Sequence, residues 1–345
     1  MADIVCLGEA LIDFVASEPC SDVGDASGFV RAAGGAPANV AVGAARLGCS
    51  SAFLGKVGDD PFGRYLGRTF AESGVDIRGM VFDPVHRTGL AFVSLAENGE
   101  RDFCFFRNPS ADMTFTTEEV DVSAIDACGI FHFGSITLID QAPKSATMSA
   151  VRRAKAAGKL ISYDPNLRPP LWPSLKSAQA TMLEAVTLAD LVKVSEEELS
   201  FLFSESAELP PSPPSEAETA ALAGRFLSSF NRVSLLAVTR GERGCTWWST
   251  SGQNGSHSGF GVQTVDTTGA GDGFVAGLLT GIISSAALGS ENVRDMLVSG
   301  LDQAALSGLF ARANAVGAIT TTRKGAIPAL PTASELEQFL SSHKT

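Results

Sequence analysis

The residues best suited to chemistry form one run in the last third of the chain: Val265-Asp266-Thr267-Thr268-Gly269-Ala270-Gly271-Asp272-Gly273-Phe274. Small residues at Gly269, Ala270 and Gly271 let backbone N–H groups turn toward one point. The apolar pattern that follows predicts a helix. Those N–H groups are then also its first, and the positive end of its dipole faces the same point. Such a turn is an anion site. A carboxylate inside it, Asp272, is costly unless it works on the anion's chemistry. The simplest task is to accept the proton of a hydroxyl that attacks a phosphate. The plainer alternative is a tight turn with Asp272 as a helix-start charge. The order Gly-x-x-x-x-Gly-Lys-Ser/Thr is absent, so phosphate handling falls to the turn and a metal rather than to a loop lysine.

The elements that must hold this turn are legible in outline. Residues 3–9 read as a strand ending in Gly8-Glu9, and Ala10 to Val15 continue as a second extended run. Asp13 interrupts that apolar run, either as a turn or edge residue or as a carboxylate accepting hydrogen bonds from a polyol. Gly34-Gly35-Ala36-Pro37-Ala38-Asn39 opens a helix of small residues that stops at Gly48. Gly34 and Gly35 leave room for a ligand to touch backbone, and Asn39 offers a donor and an acceptor in the first turn. Asp60, followed by Pro61, reads as the N-cap of a further helix, a structural role. Residues 88–95 and 101–107 flank Glu97-Asn98-Gly99-Glu100, a hairpin with Asn-Gly at its tip.

From 128 to 240 strand-like runs (129–133, 160–163, 191–194, 235–239) alternate with helical runs near 143–157, 175–188, 196–204 and 216–230. That alternation predicts a mostly parallel sheet with helices on both faces, a three-layer α/β/α arrangement. Ligands of such sheets lie at the C-terminal strand ends. The polar segments fall there: Gly134-Ser135, Asp164-Pro165-Asn166-Leu167-Arg168, Lys193 to Glu198, and Thr239-Arg240-Gly241. The proline-rich stretch 208–216 reads as a surface loop. Bulk properties agree with one large domain over 1–345: 345 residues, 45% apolar, 35 glycines and a net charge of −12. No basic block is present, which argues against nucleic-acid or anionic-membrane partners. Six scattered cysteines without Cys-x-x-Cys spacing read as reduced thiols of a cytoplasmic protein. The uncharged run 273–290 reads as a buried core helix rather than a membrane span.

The order Asp-Thr-Thr-Gly-Ala-Gly-Asp-Gly-Phe closely resembles the second signature of the ribokinase-like (PfkB) carbohydrate kinases, and Gly34 to Gly48 resembles the first. The resemblance covers essentially the whole chain. The segments Arg107-Asn108-Pro109-Ser110-Ala111-Asp112-Met113, His132-Phe133-Gly134-Ser135 and Ser162 to Arg168 are most similar to the fructokinases of that family. It implies a ribokinase-like α/β domain with a small, discontinuous β lid from about 10–33 and 87–107, and ATP-dependent phosphorylation of a primary sugar hydroxyl, D-fructose to fructose 6-phosphate. The alternatives are a 2-keto-3-deoxygluconate kinase, or a non-catalytic sugar or nucleotide sensor on the same fold. The phenylalanine-rich lid suits a neutral sugar, while Arg107 and Arg168 keep an acidic one open.

The resemblance also implies roles for single residues. Asp272 is the base, with Gly269, Ala270 and Gly271 around the transferring phosphoryl group. Asp13, Gly34, Gly35, Asn39, Arg107, Asn166 and Arg168 contact the sugar. Thr239, Gly241, Gly244, Gly271, Asn314 and Gly317 contact ATP. Glu198 organises Mg²⁺ through water, although Ser195 stands where the family carries asparagine. Asp266, Thr268, Thr320, Arg323 and Gly325 surround a potassium ion. A lid made of two hairpins exposes sheet edges and an apolar face, which suits pairing of two chains through it and leaves the oligomeric state open.

Overall fold

The apolar runs become strands because both of their faces are covered. The computed structural model describes residues 2–20, 22–95, 101–289, 292–299 and 301–343, and the expected Asn98-Gly99 turn lies outside them. In chain order the strands are β1 (Ile4–Leu7), β2 (Leu11–Ala16), β3 (Phe29–Gly34), β4 (Ser51–Gly58), β5 (Val75–Asp76), β6 (Met80–Asp83), β7 (Leu90–Leu95), β8 (Arg101–Phe106), β9 (Ile130–Phe133), β10 (Leu160–Tyr163), β11 (Leu191–Ser195), β12 (Leu235–Thr239), β13 (Cys245–Ser249) and β14 (Asn254–His257). The helices are α1 (Ala36–Arg46), α2 (Pro61–Glu72), α3 (Val122–Ala127), α4 (Gln141–Ala156), α5 (Leu175–Val186), α6 (Glu196–Leu202), α7 (Glu216–Ser229), α8 (Ala270–Gly289), α9 (Val293–Ser299), α10 (Gln303–Thr320) and α11 (Ala333–Ser342).

The large sheet runs β14-β13-β12-β11-β10-β9-β1-β4-β5, with β6 also on β4. Pairings from β12 to β5 are parallel, and β13 and β14 close one edge antiparallel, a hairpin the sequence pattern did not signal. Successive side chains of a strand point to opposite faces. Ile4, Cys6, Ile130 and Leu160 therefore pack on α1, α8 and α10, while Val5, Leu7, Phe131 and Ile161 pack on α4, α5 and α7. Two cores on one sheet make the three-layer α/β/α arrangement.

A second, four-stranded sheet has the order β3-β2-β7-β8. Two antiparallel pairs, β2 with β3 and β7 with β8, are joined by the parallel pairing of β2 with β7. It is seated on α2: Phe14 stacks on Phe92 at 5.0 Å and meets the edge of Phe62 at 5.7 Å, and Arg31 lies 4.0 Å over the Tyr65 ring. Asp60 ties the root of that sheet to α2. Its carboxylate accepts from the Phe62 and Gly63 N–H groups as an N-cap and from the Thr88 N–H just before β7.

Helix α8 sets the position of the turn at its start. Its glycines 273, 277 and 281 recur every fourth residue, so they share one face. A Cβ there would meet Thr320 Oγ1 at 2.6 Å, Val316 Cγ2 at 2.9 Å and Leu309 Cδ2 at 2.6 Å, all on α10. The other side of α8 is met by α1, where a Cβ on Gly43 would meet Ala276 Cβ at 2.7 Å. Clamped between two helices at close range, α8 leaves its first turn little freedom to move.

Candidate active site

Leu11, Asp13 and Val15 of β2 face a cavity of about 440 Å³ whose opposite wall is Val265 to Gly269 with Gly271 and Asp272. Asn39, Asn166, Arg168 and Lys193 line it as well. The cavity thus lies between the small sheet and the C-terminal ends of the parallel strands, where such sheets place their ligands.

Asp272 is the third residue of α8, in the first turn where a helix dipole favours negative charge. It is only 8% exposed. Its Oδ2 accepts a hydrogen bond of 2.8 Å from Asn39 Nδ2, which joins the first turn of α1 to the first turn of α8. Burial raises its pKa to about 6, and the Asp164 carboxylate adds to the rise. The Asn39 hydrogen bond and the cations of Lys193 and Arg168 work the other way. The result is a carboxylate poised as a general base near neutral pH.

Gly269 has φ of +78°, and a Cβ on it would meet Ala326 Cβ at 2.7 Å. Only glycine suits that backbone. The Ala270 N–H donates to Thr267 O at 3.2 Å and Gly273 N–H to Gly269 O at 2.8 Å. In this structure the Ala270 N–H closes the turn on Thr267. The N–H groups of Gly269, Gly271 and Asp272 have no protein acceptor among the described residues, and orphan donors at a helix start are what an anion satisfies. Asp266 braces the turn from outside. Its Oδ1 accepts from Thr268 N and Oγ1, and its Oδ2 from Gly325 N at 2.8 Å.

On the opposite wall Asp13 is half-buried, and a Cβ on Gly34 would meet its Oδ2 at 2.2 Å, so Gly34 exists to let that carboxylate lie over the β3 backbone. Gly35 has φ of +112°, and a Cβ there would strike Glu9 O. Asn39 Oδ1 is buried without a partner among the described residues, an acceptor kept for a ligand. Asn166 holds a left-handed φ of 43°, stabilised by its N–H to Asp164 Oδ1. A non-glycine residue in that region stores strain, which concentrates at functional positions. Arg168 donates from Nη1 to Leu167 O and lines the cavity.

The remaining expected residues lie elsewhere. Arg107 is buried in an ion pair with Asp112 and does not line the cavity. Glu198 caps α6: Oε2 accepts from Ser195 N, Oε1 accepts from Leu167 N, and Ser195 Oγ accepts from Glu198 N–H. Each oxygen retains a lone pair that can accept from a cation-bound water. Among the described residues no cluster of three or more His, Cys, Asp or Glu could hold a metal directly. Thr320 donates to Val316 O, and Arg323 pairs with Glu335. Thr239, Gly241, Gly244, Asn314 and Gly317 are outside the cavity lining. Asn314 Nδ2 bonds His257 O at 3.1 Å, and Gly317 lets α10 approach Ala270 O.

Two functional candidates escaped the sequence reading. Lys193 lines the cavity from β11, and a charged residue inside an apolar strand run was its signal. Glu9 also lines it, 1% exposed, with Oε1 accepting from Ala36 N at 2.8 Å and Oε2 unpartnered among the described residues. Burial pushes the Glu9 pKa up to about 7, against the pull of backbone N–H groups and Arg107.

The chain matches the pfkB family carbohydrate kinase model over residues 1–333. It is 46% identical over 341 residues to a probable fructokinase-4 of Arabidopsis thaliana, covering 99% of this chain and 97% of that one. Among solved structures it resembles a fructokinase with bound ATP from Xylella fastidiosa, with TM-score 0.85, 35% identity and 99% of each chain covered. It also resembles a double mutant of a Vibrio cholerae O395 fructokinase bound to fructose, ADP and a potassium ion, with TM-score 0.81, 36% identity, and 99% and 98% of the two chains covered.

Proposed function

From the premise that this chain belongs to the pfkB family of carbohydrate kinases, we propose that it transfers the γ-phosphoryl group of ATP to the primary hydroxyl of D-fructose, giving fructose 6-phosphate. One observation carries the reading: a buried carboxylate, Asp272, stands beside orphan amides at a helix start on the wall of a sugar-sized cavity.

In this account Asp13 and Asn39 receive the sugar hydroxyls, with Gly34 and Gly35 giving the ring access to backbone. Asn166 and Arg168 close the site from the β10 end. Asp272 accepts the hydroxyl proton as the O6–P bond forms and the bond from γ-phosphorus to the ADP oxygen breaks, its electron pair leaving with ADP. The N–H groups of Gly269, Gly271 and Asp272 offset the charge on the transferring group. A divalent cation, Mg²⁺ in this reading, would neutralise nucleotide phosphate charge when bound, and Glu198 would help hold it through water. A monovalent cation such as potassium would lie beside the turn that Asp266 braces through Thr268 and Gly325, with oxygens of Thr320 and Arg323 as its further expected partners. Thr239, Gly241, Gly244, Asn314 and Gly317 shape the loops and helix beside which the nucleoside end of ATP lies. The chain works as one domain whose four-stranded sheet acts as a lid. That sheet leaves β3 and β8 as open edges, with Val30 and Phe106 exposed, and pairing of two chains there would cover them. Unpaired cysteines suit a reducing compartment such as the cytoplasm.

A neutral sugar is favoured over an acidic one because Asp112 neutralises Arg107, which leaves Arg168 as the one of those two arginines that lines the cavity. A coupled assay of ADP release over fructose, 2-keto-3-deoxygluconate and ribose tests the reading. Release that depends on fructose above the others is expected. Fructose binding with no release would identify a sensor, and preference for the keto acid would replace the substrate.

A further inference from the structure

Lys193 sits in β11 with its side chain 10% exposed, inside a strand whose other residues are apolar up to Ser195. An ammonium there loses most of its hydration and needs partners. Its Nζ lies 3.1 Å from Asp164 Oδ2, and 3.1 Å from the point where a Cβ on Gly271 would stand. The Asp164 bond uses one of the three ammonium donors. A counter-ion for Asp164 alone would have no reason to abut the second residue of α8 or to line the cavity beside Asp272. Burial opposes the charge of Lys193, but the carboxylates of Asp164, Glu198 and Asp272 outweigh it, so the pKa lies above the ordinary lysine value. A fixed positive charge and the orphan amides of Gly271 and Asp272 thus face one point. The chain has no phosphate-binding loop lysine, and Arg107 is committed to Asp112.

We propose that Lys193 is a further catalytic residue, whose ammonium hydrogen-bonds the transferring γ-phosphoryl group over the first turn of α8. This rests on the kinase reading above. Lys193 stays protonated throughout. It neutralises charge on the phosphoryl oxygens while the O6 proton passes to Asp272 and the electron pair of the broken P–O bond leaves with ADP. Asp164 is its positioning residue.

The test uses the full-length protein and its K193A, K193R and K193A/D164N variants, the last removing the carboxylate that K193A would leave buried and unpaired. Steady-state kinetics, calorimetric fructose binding and thermal midpoints are measured for each, with and without added ethylammonium. Expected for K193A, or for K193A/D164N if K193A does not fold, is a kcat lower by about 10² to 10³ with the fructose dissociation constant changed by less than about threefold. K193R retains more activity than K193A, and ethylammonium restores part of the loss. In K193A the acid limb of kcat/KM moves to higher pH, because Lys193 also holds the Asp272 pKa down; K193A/D164N does not show that rise, because it also loses the Asp164 charge that raises it. The proposal is overturned if K193A/D164N keeps a kcat near that of the unmodified protein. It is equally overturned if activity is lost with no gain from arginine or ethylammonium, the behaviour of a purely structural lysine. Absence of sugar-dependent ADP release in the unmodified protein would instead defeat the kinase reading itself.

Discussion

Asp272→Asn should make the protein more stable and nearly inactive, and the stability gain should depend on pH. The folded pKa of Asp272 is raised from 3.8 to about 6, chiefly by burial. A raised acid binds its proton more tightly in the folded state, so the native state is disfavoured as the group ionises. The cost is absent below the unfolded pKa, grows between the two values and is complete above the folded one. Two pKa units correspond to about 3 kcal/mol. The groups facing Asp272 that set this value are Asn39, Asp164, Lys193 and Arg168. Asparagine keeps the shape, can still accept from Asn39 and cannot ionise. For a chain of this length, a gain of that size at about pH 8 corresponds to a midpoint higher by about 3–6 °C. At about pH 4 the carboxyl is protonated and the difference should nearly vanish. Paired thermal melts of the two proteins at both pH values measure it. A variant that melts lower at both, by the same amount, would refute the idea that burial holds this carboxyl in an unfavourable charged state.

Other expectations follow from the same geometry. Asn39→Ala removes a hydrogen bond that lowers the Asp272 pKa, so the acid limb of kcat/KM, expected near pH 6 in the unmodified protein, should move up while kcat falls by about 10-fold; a pH–rate profile checks both. Gly269→Ala forces a Cβ against Ala326 at a φ of +78°, and should cost about 1–3 kcal/mol in chemical denaturation together with most of the activity. Arg107→Met leaves Asp112 buried and unpaired, and should lower stability by about 3–5 kcal/mol in urea unfolding, a far larger effect than on KM for fructose.

The sequence was informative where a residue's role is local. Gly269 to Asp272 spelled out a turn and a helix start, Asp60 with Pro61 spelled out a cap, and strand–helix alternation spelled out the layers. It was silent where the role depends on what comes near from afar. Asn39 and Asp272 are 233 positions apart and meet only because α1 and α8 pack side by side. Lys193 read only as the start of a polar segment at a strand end, and its meaning appears with its ammonium 3.1 Å from where a Cβ on Gly271 would stand. Arg107 was a sugar contact by family resemblance alone, and its pairing with Asp112, five residues on, appears only in the fold. Glu198 matched a metal-linked glutamate by position, whereas its first task is to bind two backbone N–H groups. Ala270 belonged to the glycine-rich run, yet its N–H closes a turn on Thr267.

The central claim is that the carboxyl of Asp272 takes the proton of a fructose hydroxyl while phosphoryl is transferred from ATP. Rapid-quench single turnover with labelled ATP and saturating fructose measures that step, with the product identified by NMR as the ester at C6. The account predicts 6-phosphate formation by the unmodified protein. With Asp272→Asn the step should be slower by about 10² to 10⁴ at unchanged fructose affinity. Equal single-turnover rates for the two proteins, or an ester at another carbon, would contradict it.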